Sequence, residues 1–257
     1  MTVKAVLDLV FRKALQRGEH NILTKTHYAT LADLFVYPQA EYPERVKEVS
    51  SKLESSYPEA CELLSHFIKF LPEHDLRMLQ EIYTRSFDVQ AITTLDIGYV
   101  LFGDDYKRGQ LLSHLNREHL QHHVDCGQEL ADHLPNILKL VAKLEEGDLL
   151  VDMIDEILAP ALHQMIMEFN DNRVNQKYQA YEKHYKTLIE TPSDMSAINT
   201  LYQYPLKALF TVLKKDFSIA ETFEQTSDFL INITKENELE GGKKVFNKEI
   251  TKGELLQ

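Results

Sequence analysis

Only two cysteines, Cys61 and Cys126, occur in 257 residues, far apart and with no Cys-x-x-Cys pair. That excludes a disulfide framework and a two-knuckle zinc site, and it fits thiols kept reduced in a cytosol. Long apolar runs are missing as well: none approaches the ~20 residues that span a bilayer, so neither a secreted nor a membrane-embedded chain is expected, and a cytoplasmic one is. Glycine is held to 9 positions. There is no Gly-x-Gly-x-x-Gly, phosphate loop, Gly-x-Ser-x-Gly elbow or His-Glu-x-x-His, so catalysis has no positive support; a non-enzyme without a cofactor is expected. Basic residues are the minority, 28 against 40 acidic, for a formal net charge of −12. That balance repels nucleic acid and anionic membranes and favours cationic partners.

What is present is helix. With 44% hydrophobic and 26% charged residues, apolar side chains recur at three and four, prolines fall at intervals, and no convincing strand or internal repeat stands out. Val3, Val6, Leu7, Val10, Phe11 and Ala14 predict a first amphipathic helix ending near Gly18. Further helices are expected at 25–36, 44–53, 58–71, 75–87 and 94–102, with proline marking their ends. Beyond Gly147 a long apolar helix over 149–169 contains Pro160, which should bend or split it. Val174, Tyr178, Tyr181, Tyr185 and Leu188 make an apolar and aromatic stripe closed by Pro192, most simply a core face. A last pair of helical segments straddles Pro205. The expected architecture is all-α: a single-domain multi-helix bundle of about ten helices over 1–233, then a polar, charge-mixed tail over 234–257.

The middle of the chain, from Tyr83 to Leu144, organises the rest. Asp104 or Asp105 can cap the helix that follows Gly103, accepting hydrogen bonds from its free N–H groups. Asp132, three residues before Pro135, is placed to cap the next helix, since proline is best tolerated in a first turn. Gly147 is expected to stop that helix.

Three stretches of this region carry a resemblance: Tyr83-Thr-Arg-Ser-Phe-Asp88; the Phe-x-x-Asp-x-x-Arg-Gly pattern of Phe102, Asp105, Arg108 and Gly109; and Glu129-Leu-Ala-Asp-His-Leu-Pro135. They resemble the TorD/NarJ family of cytoplasmic chaperones that mature molybdenum-containing respiratory oxidoreductases, and are closest to its nitrate-reductase (NarJ) branch. Ala131 stands where that family usually has proline. Asp155-Glu-Ile-Leu-Ala-Pro-Ala-Leu162 extends the likeness weakly.

The resemblance implies a system-specific chaperone that binds the N-terminal leader peptide of a molybdoenzyme catalytic subunit. It would hold that subunit until the molybdenum cofactor is inserted, delaying export or membrane docking. A monomer or weak dimer is expected, with no nucleic acid and no membrane insertion. Such a leader is basic, then apolar, and a groove between helices can bury its apolar face while carboxylates meet its arginines.

The candidate client-binding residues are Glu129, Asp132, His133, Leu134, Pro135, Tyr99, Phe102, Arg108 and Gly109. Each also has a plainer role. Asp132 is first a helix cap, His133 a satisfied structural histidine as readily as a pH-sensitive contact, and Glu129 a solvated carboxylate. Tyr99 and Phe102 share a helical face that lines either a groove or the core. Arg108 is expected to pair with Asp88 or Asp105 first, and a phosphate of the cofactor is its other reading. Gly109, inside a helix at a cost of ~1 kcal/mol against alanine, suggests close approach by another helix or a ligand.

The alternative reading is a metal-binding enzyme or sensor. At ~100° per residue, His119, His122 and Cys126 fall on one face of a single helix, with His114 and His123 on its flanks. A zinc-like ion would need a fourth ligand from elsewhere, with Asp132 and His133 nearest in sequence. The same face carries Arg108, Leu112 and Leu115, as a packed helix would.

Overall fold

The computed structural model describes residues 25–71, 75–184 and 200–219. The expected first helix at 3–14, Tyr185, Leu188, Pro192 and the tail over 234–257 lie outside these residues.

Ten helices are described, counting 148–168 as one, and no strand is present among the described residues. They are α1 (His27–Leu31, continued by a 3-10 turn over Ala32–Phe35), α2 (Tyr42–Leu53), α3 (Pro58–Phe70), α4 (Leu76–Phe87) and α5 (Ile97–Phe102). Then come α6 (Tyr106–Gln121), α7 (Leu134–Lys143), α8 (148–168), α9 (Asp171–His184) and α10 (Gln203–Phe217). The all-α expectation is what the backbone shows.

Proline sets the starts. Pro43, Pro58, Pro135 and Pro160 take one of the first two positions of a helical segment, where a missing N–H forfeits no intrahelical bond. Pro205 sits third in α10, so one helix begins there and no pair of helices straddles it. The expected break near Pro160 takes the form of a π-helical turn, Met153–Leu158, between α-helical pieces Asp148–Asp152 and Ala159–Glu168. Pro160 cannot donate to the carbonyl four residues back, at Glu156, and the wider turn lies where that bond would fall.

Sharp starts come from caps where a side chain is free to serve. Asp75 accepts from Met78 N at 2.8 Å to open α4, and Asp105 accepts from Lys107 N at 2.9 Å to open α6. Gly103, at φ 57°, ends α5 just before it, a left-handed turn that glycine adopts without strain. Gly147 plays a different part from the one expected: α7 has already ended at Lys143, and Gly147 sits at the cap position that opens α8.

One hydrophobic cluster runs from Tyr28 to Ile219. α10 lies along α3, α1 packs on α7, and α8 touches both α5 and α10. At the centre, Tyr42, Phe67, Tyr83, Phe87 and Tyr202 meet ring to ring at 5.0 to 6.4 Å, mostly edge to face. Each fully buried ring or aliphatic side chain contributes about 1.5–3 kcal/mol. The hydroxyls are satisfied, Tyr42 donating to Leu34 O at 2.7 Å and Tyr83 to Phe35 O at 3.2 Å. Val174 joins this cluster and Tyr178 packs against it, while Tyr181 donates to Ala91 O at 3.4 Å. The described part of the aromatic stripe is therefore a core face with hydroxyls at its rim.

Candidate functional site: the Asp96–Arg108–Asp132 corner

Two loops of the central region run antiparallel for a few residues. Ile97 N donates to Asp132 O at 3.0 Å and Leu134 N donates to Leu95 O at 2.8 Å, so Asp96 and His133 face each other across an isolated bridge. The pairing satisfies the first N–H of α5 and of α7, and neither helix takes a side-chain cap. Asp132, expected to cap α7, does not. His133 takes the cap position, and the Asp132 carboxylate turns inward.

That carboxylate receives Arg108 Nε at 3.0 Å, while Arg108 Nη2 donates to Asp96 Oδ2 at 2.9 Å. The other oxygen of Asp96 lies 3.1 Å from His133 Nδ1. The guanidinium also sits 5.3 Å from the centre of the Tyr99 ring, within cation–π reach. Arg108 is thus ion-paired, as expected, but with Asp96 and Asp132 and not with Asp88 or Asp105. Asp88 ends α4 and Asp105 is occupied by its own helix cap.

Burial divides the corner into a sealed half and an open half. Asp132 is 0% exposed, and Leu134 and Pro135 are buried in the core. None of the three meets solvent. Arg108, Asp96 and His133 keep side-chain exposures of 16%, 26% and 14%, Tyr99 and Phe102 are half-buried, and Glu129 and Gly109 are open to solvent.

The two carboxylates on Arg108 answer differently to these surroundings. Desolvation raises the pKa of Asp132, and the nearby Asp96 adds to that, together outweighing Arg108. Asp96 is held below the usual carboxylate range, because His133 and Arg108 together outweigh its own desolvation. Asp96 is therefore the ionised anchor at neutral pH.

A close approach by another element does occur, at Gly98 and not at Gly109. A Cβ on Gly98 would lie 2.6 Å from Asp132 Oδ2 and 3.1 Å from a Leu111 methyl, whereas a Cβ on Gly109 would meet nothing within 4 Å. Asp96 and Gly98 are the residues that the sequence reading missed. Asp96 directly precedes α5, but with that helix expected to begin at 94 it read as an interior residue.

The histidine-rich segment is not one continuous helix. α6 ends at Gln121, His122 sits at its cap, and His123 turns the chain with φ 53°. The helical spacing that put Cys126 beside His119 and His122 therefore does not extend that far. His119 is buried and its Nε2 lies 2.9 Å from Ala131 O, an arrangement in which the ring nitrogen donates. Burial lowers its pKa. Asn136 Nδ2 donates to Cys126 O and Leu130 O, and Lys143 Nζ donates to His123 O, so the 122–131 loop is pinned to α7. Among the described residues no group of three or more His, Cys, Asp or Glu is arranged to hold a metal ion.

Fold and corner together define an all-helical protein whose central loops are locked by a guanidinium shared between two carboxylates. No helix among the described residues is long and apolar enough to cross a membrane. No protein-family model matches the chain, and no curated protein matches it significantly.

Proposed function

We propose that this protein is a system-specific chaperone of the TorD/NarJ kind. It binds the N-terminal region of a molybdenum-containing reductase's catalytic subunit in the cytoplasm and holds it for cofactor insertion before export or membrane docking. The observation that carries the reading is the meeting of two motif stretches. Arg108, from the Phe-x-x-Asp-x-x-Arg-Gly pattern, is bonded to Asp132, from the Glu129–Pro135 stretch, 24 residues away. Residues whose types and order prompt the resemblance thus form one physical unit. Beside it Glu129 is exposed, and the whole chain carries −12, which suits a basic leader.

The corner's roles follow its burial. Asp132, Leu134 and Pro135 position the loop from beneath, and Glu129, Gly109, Arg108, His133, Tyr99 and Phe102 keep surface that a client can reach. Isothermal titration calorimetry with a synthetic client leader, two arginines followed by an apolar run, is expected to show micromolar or tighter binding without turnover. The reading also requires that a molybdoenzyme catalytic subunit co-purify with the untagged protein. Absence of both heat and co-purification refutes it.

A further inference from the structure

Away from the corner, a second cluster gathers side chains of the kinds that ligate metals. His27 and Tyr28 open α1, Tyr57 takes the cap position before α3, and Asp216 lies in the last turn of α10. Their polar atoms converge. Asp216 Oδ2 accepts from the Tyr28 hydroxyl at 2.8 Å and lies 2.9 Å from His27 Nε2. Asp216 Oδ1 accepts from the Tyr57 hydroxyl at 2.8 Å, and that hydroxyl lies 3.4 Å from His27 Nε2. Packing holds the rings in place: His27 sits 4.4 Å from the Tyr28 ring and 5.3 Å from the Tyr57 ring, and Phe217 backs Tyr28 at 6.1 Å.

Hydrogen bonds and coordinate bonds ask for the same spacing here. A small cation holds oxygen and nitrogen donors at ~2.0–2.2 Å, which sets neighbouring ligand atoms roughly 3 Å apart. A cation that replaces the bridging protons therefore needs little movement of the side chains. The charge also matches: two phenolates and one carboxylate carry three negative charges, and the imidazole is neutral. Three hard oxygen donors with one nitrogen and no thiolate suit trivalent iron better than a thiolate-seeking metal.

Without a cation, burial and the neighbouring Asp216 raise the pKa of both phenols and keep them protonated. A bound metal inverts that balance, because coordination expels the ligand's proton. Lys215 leans the same way. Its Nζ donates to Ser56 O at 2.6 Å and stands 5.3 Å over the Tyr57 ring, where a positive charge favours the phenolate. Asp216 and Tyr28 are enclosed, but the His27 side chain keeps 16% exposure and Tyr57 is half-buried, so the cluster has an edge open to solvent.

We infer that His27 Nε2, the Tyr28 and Tyr57 oxygens and the Asp216 carboxylate form a site for ferric iron that joins α1, α3 and α10. Binding releases the two phenol protons to solvent, His27 keeps its proton on Nδ1, and water completes the coordination shell. Iron then ties the first and last described helices by coordinate bonds in place of hydrogen bonds.

The test adds ferric nitrilotriacetate to the full chain, removes the excess by gel filtration, and reads retained iron, visible absorption and the thermal midpoint. One iron per chain is expected, with a phenolate-to-iron charge-transfer band and a raised midpoint, as a ligand specific to the fold gives. Tyr57→Phe keeps the ring and should weaken iron binding more than about tenfold, since loss of even an outer partner of a metal ligand costs that much. The band should shift or fade with it. Tyr28→Phe should do the same where circular dichroism shows it folded; if it does not fold, Tyr57→Phe decides. Failure to retain iron overturns the site, and so does retained iron without the band or with a band that Tyr57→Phe leaves unchanged. Retention of zinc in preference to iron at equal concentrations overturns the trivalent assignment. None of these measurements involves a client, so the chaperone reading stands or falls separately.

Discussion

Asp132 is the residue on which the central loops turn. Its side chain is wholly enclosed, with one oxygen on Arg108 and its backbone carbonyl accepting from Ile97 N. Removing one partner of a buried ion pair costs roughly 3–5 kcal/mol. Asp132→Ala should fall near the low end of that range, since Asp96 still holds Arg108. Urea denaturation is the measurement, and a loss under about 1 kcal/mol would show the pair to be dispensable. Because burial raises its pKa, the ionised form of Asp132 weighs against the fold at neutral pH, and Asp132→Asn should cost less than Asp132→Ala. Charge reversal at Asp132 accordingly reports on folding, whereas charge reversal at Glu129 reports on binding.

Helices α5 and α6 carry one glycine each with opposite consequences. Gly98→Ala forces a methyl to within 2.6 Å of Asp132 Oδ2 and should destabilise the protein by about 1–3 kcal/mol. Gly109→Ala meets open space on an exposed helix and should stabilise it by ~1 kcal/mol. Thermal melts of the two variants should therefore move in opposite directions; a common sign would contradict the described packing. Sequence alone pointed to Gly109, because a helix-interior glycine is visible in the pattern while the approach of Asp132 to Gly98 is not. Legibility divides along the same line. Helix starts were readable where proline takes one of the first two positions or an Asp caps the first turn, as at Pro58 and Asp105, and not at Pro205, which is third in its helix. The partner of Arg108 was not, because Asp96 reaches it only after two loops distant in sequence run antiparallel. Cys126 was placed on a helix that has already ended, since nothing local announces the turn at His123.

Across the whole body, the first and last described helices are fastened to each other. Asp216 near the end of α10 is nearly enclosed; it accepts from Tyr28 and Tyr57 hydroxyls, each at 2.8 Å, and lies 2.9 Å from His27 Nε2. Desolvation pushes its pKa up, but these three partners outweigh it and hold Asp216 below the usual carboxylate range. A carboxylate depressed in the fold adds stability that is complete above its unfolded pKa of ~3.9 and disappears as pH falls through the folded value. Asp216→Asn should therefore be less stable than the wild type at pH 7, by about 1.5–3 kcal/mol for hydrogen bonds to a charged group. The gap should narrow below about pH 4; a gap independent of pH would mean that the charge plays no part.

That fastening has a mechanical side. Because His27 and Asp216 touch, a tension applied between those two positions is borne directly by a few hydrogen bonds and is not shared along the helices. The molecule should peel open from this seam at low load while its aromatic interior stays packed. A handle pair at the exposed residues 26 and 218 in an optical trap would make that seam the first to part.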